Sequence, residues 1–129
     1  MNRIFLSRLS GWSAGLLLLA TAGFHATGVG LAKAGAEEVS EPFFAAVLVP
    51  IWLFASFHWL AFALLAGLLA GVKEPRARLT LAILGAALLV DAALMANAVG
   101  PFIGTVFIAA SGSLLLLSAI LARRAKPAL

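Results

Sequence analysis

Four long apolar runs dominate the chain, each close to or beyond the roughly 20 helical residues that cross the hydrocarbon of a bilayer. They cover about 11–32, 48–71, 79–99 and 102–122. A soluble domain of 129 residues has no core large enough to hide four such runs, and here 64% of residues are apolar while only 11% are charged. The expected fold is therefore all-α, an integral membrane four-helix bundle forming a single transmembrane domain. The second run begins after Glu41 and Pro42 and carries Pro50 inside it. It reads either as one long, tilted or kinked helix, or as an interfacial piece over 43–49 followed by a span.

Nine Lys and Arg against five Asp and Glu leave a net charge of +4, and their distribution orients the spans. Arg3 and Arg8 precede the first run, Lys73, Arg76 and Arg78 follow the second, and Arg123, Arg124 and Lys126 follow the fourth. The segment 33–42 instead combines Lys33 with Glu37, Glu38 and Glu41, and the turn at 99–101 is uncharged. Basic residues collect on the cytoplasmic side of membrane proteins, so the expected topology is N-in and C-in in a bacterial-type inner membrane. The 33–42 segment is then an outer polar loop. Gly100 and Pro101 make the second outer turn very short, which predicts that spans three and four are adjacent and antiparallel.

A cleavable signal peptide competes for the first run, since Arg3, Arg8, a Leu-rich stretch and Ala32-Lys33-Ala34 have the right order. About 22 apolar residues is long for a signal core, and His25 interrupts its second half, so an uncleaved first span is preferred.

Small residues recur at helical spacing. Gly11 and Gly15, Ala26 and Gly30, Gly67 and Gly71 are each four apart, and Gly104, Ser111 and Ser118 are seven apart on one face of the fourth run. Small side chains let membrane helices approach closely, within a bundle or across a homodimer. The second run is the aromatic one: Phe54, His58 and Phe62 share one stripe, and Trp52 and Trp59 share another, with Ala55 and Ser56 between them. Trp12 lies near the cytoplasmic end of the first run, where an indole suits the headgroup region.

Polar residues inside the runs are few, and a charge at depth is costly unless paired, neutralised or wet. His25, His58 and Asp91 each lie roughly 20 Å from the cytoplasmic ends of their runs, at 1.5 Å of rise per residue. They therefore qualify as one layer, with Asn97 as a further polar candidate on the third run. Imidazole and carboxylate in such a layer can exchange a proton, bind a ligand, or simply tie two helices together. Two histidines on sequential antiparallel helices could also ligate a haem iron, and His25, His58 and Asp91 a divalent metal; no specific motif supports either, and no cofactor is assigned.

Other chemistries are excluded or unsupported. With no cysteine, the chain has no disulfide, thiolate metal site, c-type haem attachment or thiol nucleophile. It has no Gly-rich phosphate loop with Lys, no HExxH pair, and no basic surface of the kind that binds nucleic acid. Glu37, Glu38 and Glu41 read as a solvated face, and the basic clusters as anchors for anionic lipid. The expected role is non-enzymatic: a small membrane subunit that binds lipid, a second copy, or a partner membrane protein. A proton-coupled carrier using His25, His58 and Asp91 is the alternative, and a haem- or metal-binding protein a further one.

Overall fold

The computed structural model describes residues 2–122, so the basic residues Arg123, Arg124 and Lys126 lie outside the described residues. Five helices follow in order: α1 (Arg3–Thr27), α2 (Val29–Glu38), α3 (Pro42–Leu69), α4 (Pro75–Val99) and α5 (Ile103–Leu121). All but the short α2 are long and apolar enough to cross a membrane.

Local chemistry starts and stops these helices. The Asn2 side chain accepts from the Ile4 amide and caps α1. Proline opens both α3 and α4 at the first helical turn, where its missing N–H costs nothing. The Thr105 hydroxyl accepts from the Phe102 amide at 3.1 Å and donates to the Phe102 carbonyl at 2.7 Å, pinning the start of α5. Gly71 and Gly100, which follow α3 and α4, have φ of +74° and +84°, a region that glycine enters without steric cost.

One sequence expectation changes here, and one open alternative is decided. Segment 33–42, read as a loop, is largely helical: α2 follows a break at Gly28 and runs to Glu38. The second apolar run is one helix, because Pro50 lies within a continuous α3 rather than dividing it.

Packing is up-down-up-down. Gly11 lies against Ala70, Gly15 against Ala63, Gly28 against Trp52 and Gly35 against Leu48, so α3 runs antiparallel to α1 and α2. On its other side α1 packs on α5, and α5 packs most extensively on α4. The expected neighbours α4 and α5 are thus adjacent. By contrast α3 and α4 touch only lightly, which leaves a seam between them.

The interior is built from small residues. Ala14, Gly15, Ala63, Ala66, Gly85, Gly112 and Ser111 are buried, joined by a few large side chains such as Leu18, Leu81, Leu88 and Leu115. Large apolar residues point outward instead, among them Phe24, Phe54, Phe57, Leu68, Ile83 and Leu94. Water would oppose that arrangement, whereas lipid is as apolar as leucine and leaves close backbone approach to hold the helices.

The tightest approach of backbone to backbone at a glycine is between α4 and α5. A Cβ on Gly112 would lie 2.7 Å from the Gly85 carbonyl oxygen, and one on Gly85 would lie 2.8 Å from that of Gly112. Between α1 and α5, Ser7 Oγ donates to the Ser118 carbonyl at 2.9 Å and Ser118 Oγ donates to the Ser7 carbonyl at 2.8 Å. The small faces of α1, α3 and α5 noted in the sequence are thus spent largely inside the bundle. Gly30 is exposed with open space where its side chain would be.

Gly112→Ala should therefore lower stability by about 1–3 kcal/mol, since backbone rather than a flexible side chain must move. Gly23, whose Cβ would meet nothing within 4 Å, supplies the control, and Gly23→Ala should be neutral or stabilise by up to about 1 kcal/mol. Equilibrium unfolding in mixed detergent and lipid measures both.

Candidate functional site

The end of the bundle away from Gly71 is organised by the break at Gly28. Ending α1 at Thr27 leaves the carbonyls of its last turn without their usual helical partners. The His25 carbonyl accepts from the Gly28 amide at 3.0 Å and from the Trp52 indole Nε1–H at 2.8 Å. Trp52 can lie there because residue 28 has no side chain: a Cβ would come within 2.7 Å of the indole. The indole also stacks on the His25 ring, with centroids 4.2 Å apart and planes 15° from parallel.

His25 is held a second time by Ser56 of α3, whose Oγ lies 2.9 Å from His25 Nδ1. One turn further along α3, Trp59 meets His25 edge-on, with centroids 5.0 Å apart. Trp59 is only 2% exposed, and its indole Nε1 is buried without a hydrogen-bond partner. Such an unpaired donor is uncommon in a folded protein.

His25, Gly28, Trp52 and Trp59 form one wall of a cavity of about 730 Å³. Phe24 and Thr21 of α1, Leu31 of α2, Met95 and Val99 of α4, and Phe102 and Gly104 at the start of α5 complete much of the rest. The Thr21 and Thr27 hydroxyls, which also line it, donate to backbone carbonyls of their own helix, Leu17 and Phe24. Among the described residues, no Asp, Glu, Lys or Arg lines the cavity. Its volume falls in the range of small-molecule sites, and such sites are typically apolar with a few placed polar groups.

The other polar pair lies apart from that cavity. His58 Nε2 of α3 is 3.0 Å from Asp91 Oδ2 of α4, bridging the two helices that otherwise touch only lightly. Phe54, Trp59 and Phe62 surround the His58 ring. The two side chains remain 27% and 32% exposed, so the pair lies at the seam rather than in the core. The other ring nitrogen, Nδ1, is buried without a hydrogen-bond partner among the described residues.

Of the four residues singled out from the sequence, the structure joins His58 to Asp91 and places His25 in a separate cluster with Ser56 and Trp52; both imidazoles contact Trp59. Asn97 is exposed near the end of α4 and does not join either group. The divalent-metal reading of His25, His58 and Asp91 is not supported, because among the described residues no three His, Asp or Glu are grouped to hold an ion. Each histidine is engaged through one ring nitrogen, His25 by Ser56 and His58 by Asp91. Sequence reasoning passed over Ser56 and the Trp52 bond to the His25 carbonyl. The seven-residue spacing of Trp52 and Trp59 was their available signal.

No family model, curated protein or solved structure matches the chain. Its function has to be read from the two polar clusters and the cavity.

His58→Leu should destabilise the protein by about 2–4 kcal/mol by leaving a carboxylate unpaired within an apolar span, and the double replacement H58L/D91L should recover most of that loss. Unfolding titrations on the single and double variants in lipid give the comparison. Gly28→Ala should displace the Trp52 indole from the His25 carbonyl, costing about 1 kcal/mol and reducing the near-ultraviolet circular dichroism of the stacked rings.

Proposed function

We propose that the protein is a small, non-enzymatic, multi-pass membrane protein whose cavity binds an apolar or amphipathic molecule taken from the bilayer. The observation that carries this reading is the cavity of about 730 Å³, walled by aromatic and aliphatic side chains and free of formal charge. A volume of that kind inside a lipid-immersed bundle favours an apolar occupant over water, which needs two to four polar partners to settle.

The orientation proposed is N-in in a bacterial-type inner membrane. Arg3 and Arg8 share one end of the bundle with Lys73, Arg76 and Arg78, because α1 and α3 are antiparallel and the Arg8 side chain lies against Gly71. Glu37, Glu38 and Glu41 occupy the connection at the other end. The positive-inside rule then puts the cavity toward the outer leaflet.

His58 and Asp91 favour a proton-coupled carrier less strongly, since neither residue lines the cavity. In the binding reading the pair closes the α3–α4 seam across the span. Association with a second copy or another membrane protein is compatible with this role, and would use outward surfaces rather than the small-residue faces already spent.

A Trp12→Phe variant leaves Trp52 and Trp59, both in the cavity wall, as the sole emitters. Titrating 1-bromododecane into nanodiscs holding this variant should quench their emission saturably. Gly30→Phe, which adds bulk in open space at the cavity rim, should weaken the quenching at least severalfold. Quenching that rises linearly with bromide and ignores the Gly30 change would show bilayer contact alone and count against a binding cavity.

A further inference from the structure

A second apolar recess lies on the outer side of α1 and α3 and shares no residue with the cavity. It is a groove of about 270 Å³, lined from 12–19 of α1 and 60–68 of α3, which is roughly 10–12 Å along the helix axes. Its floor is made of small residues, with Gly15 and Ala63 buried and Gly67 half-buried, while Leu16, Leu64 and Leu68 stand exposed along its rims. The shape suits a slender apolar chain lying along the helices.

The end of the groove nearest Gly71 carries a polar feature. Trp12 lines that end, its indole beside Gly67, where a Cβ would be 3.7 Å from the ring. One turn beyond it, Arg8 lies across Gly71, and a Cβ on that glycine would come within 2.8 Å of Arg8 Nε. Arg8 and Trp12 are four apart on α1, and Gly71 and Gly67 are four apart at the end of the antiparallel α3, so the two contacts are successive layers of one face. The arginine is therefore held just past the end of the groove. It is exposed and has no carboxylate partner among the described residues, where the ion pair present is that of His58 and Asp91. Arg3, Lys73, Arg76 and Arg78 share this end of the bundle with one described acid, Glu74.

An apolar groove, then an indole, then a guanidinium is the order in which a phospholipid presents its acyl chain, its glycerol level and its phosphate. Indoles settle at the headgroup level of a bilayer, and a guanidinium grips phosphate through two parallel N–H bonds. A zwitterionic head brings its own ammonium to compete for that phosphate, so an end with five basic residues against one acid favours an anionic head. We infer that the α1–α3 groove binds one anionic phospholipid, its acyl chain over Gly15 and Gly67 and its phosphate on Arg8. With the orientation proposed above, this lipid belongs to the cytoplasmic leaflet. The inference rests on membrane insertion and not on the cavity.

Native mass spectrometry of the full chain, released from detergent with equal amounts of dioleoyl-phosphatidylglycerol and dioleoyl-phosphatidylcholine, tests this, because the two lipids differ only in their head groups. The expected result is one retained lipid per chain, with phosphatidylglycerol favoured about fivefold, the worth of one basic residue at an anionic surface. Arg8→Gln should abolish that preference. Arg76→Gln removes the same charge from α4, which does not line the groove, and should leave the preference intact. Gly67→Leu puts bulk on the groove floor, where a Cβ meets the Trp12 ring only at ordinary contact distance, and should release the lipid whatever its head group. Equal retention of the two lipids by the unaltered protein overturns the inference, as does a loss in Arg76→Gln as large as in Arg8→Gln, retention indifferent to Gly67→Leu, or a second copy of the chain bound in place of lipid. Failure here is distinguishable from failure of the cavity, since saturable quenching by 1-bromododecane depends on neither Arg8 nor Gly67.

Discussion

Close approach of helix backbones is the constraint on which the rest of the structure depends. Burying leucine gains little when the alternative is lipid, so the contacts between spans rest on positions where side chains are small enough for backbones to meet. Gly85 facing Gly112, Gly11 against Ala70, and the reciprocal Ser7 and Ser118 bonds are those positions. They lie in the middle of the bundle and toward the Gly71 end. Beyond them, toward the opposite end, Phe24, Trp52, Met95 and Phe102 line the cavity instead. The cavity is where the small-residue contacts stop.

The polar side chains divide the same way. His58 and Asp91 lie where α3 and α4 lack close backbone contact, and their 3.0 Å bond links two helices that packing leaves apart. His25 serves a different end: its carbonyl, freed by the break at Gly28, positions Trp52, while its ring is fixed between Trp52 and Ser56. One glycine therefore sets up the aromatic wall, by ending α1 and leaving room for an indole. The result is an aromatic surface that, among the described residues, carries no formal charge.

Much of the fold was legible because the chain is divided into long apolar runs by short polar or Gly/Pro-marked connections. Gly100 with Pro101 predicted the α4–α5 pairing, and the small residues at Gly11, Gly15, Ser111 and Ser118 predicted close contacts that the bundle makes. The helix α2 was not legible, since Lys33, Glu37 and Glu38 make it polar and polarity in a connection resembles a loop. Estimated depth brought His25, His58 and Asp91 into one layer, but depth carries no rotation about the helix axis. Rotation assigned His58 to Asp91 and His25 to Ser56, so one expected cluster became two. The role of Gly28 was equally hidden, because the indole that fills the space beside it comes from a helix about 24 positions away in sequence.

The most direct test of the binding cavity is an experimental structure of the protein in a lipid nanodisc, at a resolution that separates side chains from bound molecules. Elongated density in the cavity, among His25, Phe24, Leu31 and Met95, is the predicted result. A cavity collapsed by inward movement of Met95 and Phe102, or filled by ordered water alone, would contradict it.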